Sequence, residues 1–238
     1  TTRKGRSRSN SDDSSAVIAG AAPMMTPPTA ASTYRSPKSV SKWLPSTPIG
    51  PGNSPYQGVS AFAGNQWMVA LEPLVAKGWL AEPVLPAGGF AADRVDYGQV
   101  LPWREQQLRA AAQGFFASAS AEDRARFAAW SEAQAAWLAD YTLFMAIRSP
   151  LNGQPWWEWP APLARRDEAA LEQARSEYAD EIRFWNFVQW CFDCQCAPLK
   201  GYARGKDVSI MGDMPIFVAH DSADCWSRPD LYTLDEHF

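Results

Sequence analysis

The chain has 238 residues, 46% hydrophobic and 20% charged, a composition that suits one sizeable core and does not suit a disordered polypeptide. Its 22 Lys and Arg against 26 Asp and Glu leave a formal charge of −4, which gives no electrostatic footprint for nucleic acid. No apolar run reaches the roughly 20 residues that a membrane-spanning helix needs, and the basic start is not followed by the apolar segment of a secretory signal.

Residues 1–41 differ from the rest. Ser, Thr, Pro and Ala dominate, with Arg3, Lys4, Arg6 and Arg8 clustered at the start and no sustained apolar period, so the segment reads as a disordered or non-native leader. An organelle transit peptide is the other reading, against which Asp12 and Asp13 weigh. Residues 43–56 are rich in Pro and Gly, which exclude helix and stiffen a loop that ends at Ser54, Pro55 and Tyr56. A short helix is expected over 65–80, with Trp67, Leu71, Leu74 and Val75 on one face and Gly78 as its stop. Residues 85–96 read as loop and 105–116 as helix. A longer helix is expected over 121–147, where Phe127, Trp130, Trp137, Tyr141, Phe144 and Ile147 recur at helical spacing and so point to core.

Trp156, Trp157 and Trp159 lie in a Pro-bounded loop. Twelve Trp is a high count, and aromatic faces serve both sugar clefts and helix packing. This loop reads first as a plug between the two long helices and second as a carbohydrate platform. The longest helical pattern is 167–202, with Leu171, Tyr178, Ile182, Trp185, Val188, Phe192 and Leu199 on the buried side, interrupted at Pro198. A proline removes an i→i−4 bond and costs roughly 3 kcal/mol inside a helix. Cys191, Cys194 and Cys196 fall within this pattern among aromatics. With no second ligand cluster, and with His220 and His237 the only histidines, no metal and no cofactor are expected, and the thiols read as free in a reducing cytoplasm.

After a turn at Gly205-Lys206-Asp207 comes Val208-Ser209-Ile210-Met211, an apolar, partly β-branched run that suits a buried strand. Gly212 and Asp213 stand where it runs out, and Pro215 cannot continue a ladder. Helix, tight link, strand, carboxylate is half of a βα repeat. Asp213 is then either an acid at the carboxyl end of a barrel strand, where active sites face, or a plain turn residue.

Gly212-Asp213-Met214-Pro215-Ile216-Phe217-Val218-Ala219, followed by Asp221-Ser222-Ala223-Asp224-Cys225-Trp226, resembles a signature of the 4-α-glucanotransferases, or amylomaltases. Ser54-Pro55-Tyr56-Gln57-Gly58-Val59-Ser60-Ala61-Phe62-Ala63-Gly64-Asn65 resembles a second segment of that family, Asp93 to Tyr97 its VDY turn, and Pro155 to Pro160 its PWxEWP loop. The resemblance covers residues 42–238. It departs from the family in two places: no first strand is visible upstream, Ala16-Val17-Ile18-Ala19 being a poor match, and Cys196 takes an aromatic position.

The resemblance implies an α/β fold, an incomplete (β/α)8 TIM-type barrel of about three early strands with a helical insertion near 65–205. It implies retaining transfer of α-1,4-glucan segments from a donor to an acceptor glucan, with no nucleic-acid or membrane partner. Retention needs two carboxyl groups about 5–5.5 Å apart. The family's nucleophile and acid/base lie on later strands, so neither of the principal pair is expected here, and the chain alone is expected to be inactive. Asp213 is carried over as a supporting carboxylate at the end of the third strand, and Tyr56 and Ser54 as substrate-binding residues. Asp221, Asp224 and Glu236 are set aside as partners for Asp213. The first two, with Ser222, are read as caps for a following helix. The rival reading is a non-catalytic glucan-binding or helical interaction module whose Trp-rich helices form the functional surface.

Overall fold

Two short strands from opposite ends of the sequence run side by side. The computed structural model describes residues 39–50, 54–213 and 218–234. β1 (Ser39–Trp43) pairs in parallel with β2 (Val208–Gly212), Ser39 opposite Val208 and Trp43 opposite Gly212. The pairing runs one bond further at each end: Ser39 N donates to the Asp207 carbonyl (3.4 Å) and Asp213 N to the Trp43 carbonyl (3.0 Å). Parallel strands cannot be joined by a hairpin, so the connection must be a crossover. Here it holds seven α-helices of the described chain.

β2 occupies the expected run. β1 corrects the expected leader boundary, because it begins at Ser39, and it supplies a strand just upstream of the Pro-rich loop where none was read. The rest of the leader, Ala16-Val17-Ile18-Ala19 included, lies outside the described residues, as do Met214-Pro215-Ile216-Phe217 and Glu236. The described residues hold two strands rather than about three, and Asp213 follows the second. β2 is also less buried here than its composition suggests, with Met211 52% exposed.

The helices are α1 (Glu72–Ala76), α2 (Tyr97–Ser118), α3 (Ala121–Ala133), α4 (Ala135–Arg148), α5 (Ala161–Ala164), α6 (Glu168–Glu177), α7 (Ala179–Gly205) and, after β2, α8 (Ala223–Ser227). The expected 65–80 helix is a 3-10 turn (Gln66–Met68) followed by α1. α2 starts well before residue 105, because Asp96 caps it by accepting from Gly98 N at 3.0 Å. The single helix expected over 121–147 is broken at Gln134, whose Oε1 accepts from the Trp137 indole at 2.9 Å. The one expected over 167–202 is broken at Tyr178. Conversely α7 runs on through Pro198 to Gly205. Ala197, Pro198 and Leu199 are exposed there, so the proline ring lies on the solvent side of the helix. Leu199, assigned to the buried side, is 45% exposed.

Two aromatic clusters form the core. In the first, Phe115 of α2 meets Phe187 and Trp190 of α7 and stands edge-on to Trp79, centroids 4.9 Å apart. In the second, Phe144 of α4 meets Trp159 and Trp226. The aromatic stripe of 127–147 is core as its spacing indicates: Tyr141, Phe144 and Ile147 are fully buried, while Phe127, Trp130 and Trp137 are partly so. The Trp loop packs α4 against α8 rather than joining the two long helices. Trp156 and Trp159 are buried, and the Trp157 ring is covered by His220 at 4.2 Å. All twelve Trp are buried or half-buried, which removes the Trp-rich surface that an interaction module would need.

Gly114 marks the closest approach of α2 to the chain beneath it, since a Cβ there would stand 2.0 Å from the Trp79 carbonyl oxygen. Gly114→Ala is expected to destabilise by about 1–3 kcal/mol through overpacking. Gly201→Ala on α7, where a Cβ meets nothing within 4 Å, should stabilise by roughly 0.5–1 kcal/mol. Chemical denaturation of the two variants checks the opposite signs.

Candidate functional site

The parallel pair fixes where β2 stops. Asp213 is held at its exit by its own N–H on Trp43, so its exposed carboxylate projects from the carboxyl end of the strand. Trp43 also starts the loop that returns to the same end. Inside that loop Ile49 bridges Gly58 in antiparallel fashion, Gly50 N donates to the Gln57 carbonyl (3.0 Å) and Val59 N to the Pro48 carbonyl (3.1 Å). Gly58 is required there because a Cβ would lie 2.7 Å from Thr47 Oγ1. Ser54 Oγ accepts from Tyr56 N at 3.3 Å and shapes the tip. The outcome is that the Tyr56 hydroxyl donates to Asp213 Oδ2 at 2.9 Å, across 157 residues of sequence.

Three residues singled out from sequence are thus gathered, with Ser54 directing the backbone and Tyr56 and Asp213 in direct contact. The bond to Asp213 raises the Tyr56 pKa, so the phenol stays protonated and remains the donor. A carboxylate has about four acceptor positions, and one phenol leaves room for sugar hydroxyls. Both side chains are exposed, Tyr56 by 47%. The pair can bind and orient a polyol.

Asp224, Asp221 and Ser222 divide differently from the expected caps. Ser222 does cap α8, its Oγ accepting from Cys225 N at 3.1 Å. Asp221 instead accepts from Trp156 N (3.3 Å) and pairs with Arg148 at 2.7 Å. Asp224 reaches back to the Tyr56 loop: Oδ1 accepts from the Ser60 hydroxyl (3.0 Å) and Oδ2 from Ala61 N (2.6 Å). Burial pushes both acids up in pKa, against the pull of these partners. A raised carboxyl pKa makes the folded state the better proton binder, so these two groups favour folding more at acid pH and less as pH climbs through the raised values.

The same loop is clamped to α7 by two glutamines that sequence reasoning passed over. Buried Gln189 accepts from Gly64 N (2.7 Å) and donates to the Gly64 carbonyl (2.9 Å). Gln195 repeats the pattern on Ala70, at 2.7 and 3.0 Å. Gly64 has no room for a side chain, since a Cβ would stand 2.1 Å from the Phe192 ring. The available signal was a Gln on the buried stripe of a helix, an amide that must find partners once desolvated.

The structure superposes on an amylomaltase from Streptococcus agalactiae, solved in complex with acarbose, with a TM-score of 0.77 and 29% identity, over 85% of this chain and 41% of that one. This defines the class, a protein with a glycoside hydrolase fold. The chain belongs more particularly to the 4-alpha-glucanotransferase family, glycoside hydrolase family 77, whose sequence model matches residues 31–238. It is 47% identical over 193 residues to the 4-alpha-glucanotransferase of Thermus thermophilus (81% of this chain, 38% of that protein). It is 39% identical over 199 residues to that of Synechocystis (83% and 39%) and 35% identical over 197 residues to the chloroplastic/amyloplastic one of Solanum tuberosum (81% and 34%). The chain spans between about a third and two-fifths of the length of these relatives. Among the described residues no helix is long and apolar enough to cross a membrane.

Gln189→Leu leaves both backbone groups of Gly64 buried without partners, which costs about 1–3 kcal/mol for each. It is expected to lower the thermal midpoint clearly, and Gln195→Leu, on a more exposed partner, to lower it much less. Equal losses in the two melts would show that burial does not set the strength of the clamps.

Proposed function

We propose that the protein carrying this chain transfers α-1,4-glucan segments between maltooligosaccharides, and that Tyr56 and Asp213 hold the sugar at the cleaved end. The observation that carries the reading is the 2.9 Å hydrogen bond between two exposed side chains 157 residues apart, at the end of a parallel strand. In a (β/α)8 barrel that end carries the active site, and this chain would contribute early strands to such a barrel. The substrate class is supported by the relatives' names and by the acarbose bound in the streptococcal structure.

The mechanism follows from retention. One carboxylate attacks the anomeric carbon while the other protonates the departing oxygen, and an acceptor hydroxyl resolves the glucosyl-enzyme in place of water. We assign both groups to later strands. Asp213 accepts hydroxyl bonds that tighten as positive charge develops on the sugar, and Tyr56 keeps the carboxylate oriented while offering its ring to an apolar sugar face. Ser54 maintains the turn from which Tyr56 projects. The proposed setting is the cytoplasm, without a cofactor or metal.

In the whole protein, Asp213→Asn is expected to lower kcat for glucose release from maltotriose by about 100-fold, because interactions that strengthen in the transition state contribute several kcal/mol. The thermal midpoint should stay close to that of the parent. A stable, fully active Asp213→Asn protein would overturn the site assignment. The 238-residue polypeptide alone should release no glucose, and turnover that Asp213→Asn abolishes would place the chemistry within it.

A further inference from the structure

We propose that Asp224 is a positioning residue for the glucan site, setting Tyr56 against Asp213 through Ser60 and Ala61. The inference rests on the reading of Tyr56 and Asp213 given above. A carboxylate at a helix start normally serves its own helix. This one turns away from α8, whose cap is Ser222, and spends both oxygens on a segment 163–164 residues earlier in the chain.

What it holds is a hub. The Ser60 hydroxyl donates a hydrogen bond to Asp224 Oδ1, and its oxygen accepts from Phe62 N (3.1 Å) and Ala63 N (3.4 Å). With Ala61 N on Oδ2, one half-buried carboxylate organises the backbone from Ser60 to Ala63. Two backbone bonds carry the same joint toward Tyr56: Ala223 N donates to the Val59 carbonyl (2.8 Å) and Ala219 N to the Gly58 carbonyl (3.1 Å). Asp224 therefore stitches the chain that follows Asp213 to the chain that follows Tyr56. The Tyr56 ring is half exposed, and the polar contact its hydroxyl makes is with Asp213. Its place depends on the backbone it leaves, and that backbone is seated by Asp224.

A positioning residue acts through the group it positions, so its loss must vanish once that group has nothing left to contribute. In the whole protein, Asp224→Ala is expected to reduce kcat/KM for maltotriose by roughly 10- to 100-fold, and to cause no further reduction in a Tyr56→Ala background, where both the hydroxyl contact and the ring are already gone. Asp224→Asn keeps an acceptor for Ala61 N and should recover most of the loss. Should Asp224→Ala fail to fold, Ser60→Ala takes its place in the same cycle. Additive losses of Asp224→Ala and Tyr56→Ala would overturn the inference while leaving the site intact, as would a lowered thermal midpoint with unchanged kcat and KM. A Tyr56→Ala protein with parental kinetics would overturn the reading of the site and this inference with it.

Discussion

The parallel contact between β1 and β2 is the constraint on which the rest of the described structure depends. Its five registered pairs join the first described residues to residues beyond the end of the longest helix. Such a pair has no local route to formation. Closing a loop of that length is entropically costly, and the cost is met only when the intervening chain has itself condensed. The two aromatic clusters do that condensing. One fastens α2 to α7, and the other fastens α4 to α8 through Trp159 and Trp226. α7, which leads directly into β2, belongs to the first cluster, so the direction of the second strand is set by side chains well away from it.

The loop between β1 and α1 is where these parts meet, and it is held by polar contacts rather than by area. Gln189 and Gln195 tie it to α7, Asp224 ties it to the first turn of α8, and the Asn65 N–H on the Ser46 carbonyl (2.7 Å) closes it on itself. Such contacts have direction, which burial of apolar surface lacks. That suits a segment whose task is to place one phenol within hydrogen-bonding reach of one carboxylate.

Much of this was legible in the sequence, and the misses have physical causes. β2 announced itself as a β-branched run ending in Gly212-Asp213. β1 did not, because Ser39-Val40-Ser41-Lys42-Trp43 has a single β-branched residue and its faces are largely exposed in the described chain. The aromatic stripes gave the core correctly but hid the helix breaks at Gln134 and Tyr178, where neither Gly nor Pro marks the joint. Tyr56 and Asp213 were paired by family resemblance and not by any spacing rule. Asp224 was misread for a plain reason: an acid just after a Ser at a helix start looks like a local cap, and a partner 163 residues away leaves no trace in the neighbouring sequence.

The distance between Tyr56 and Asp213 also has a meaning in time. During synthesis, at about 5–20 residues per second, Tyr56 is made on the order of 10 s before its partner, which lies 157 residues further along. Through that interval β1 lacks β2, the neighbour it pairs with among the described residues, and the loop lacks the finished α7 and α8 to rest on. Each helix between can form as it emerges, since the hydrogen bonds within a helix are local. Tyr56 and Asp213 are therefore brought together only after the helices between them have been made, and the cell must keep an unpaired strand edge out of trouble until they are.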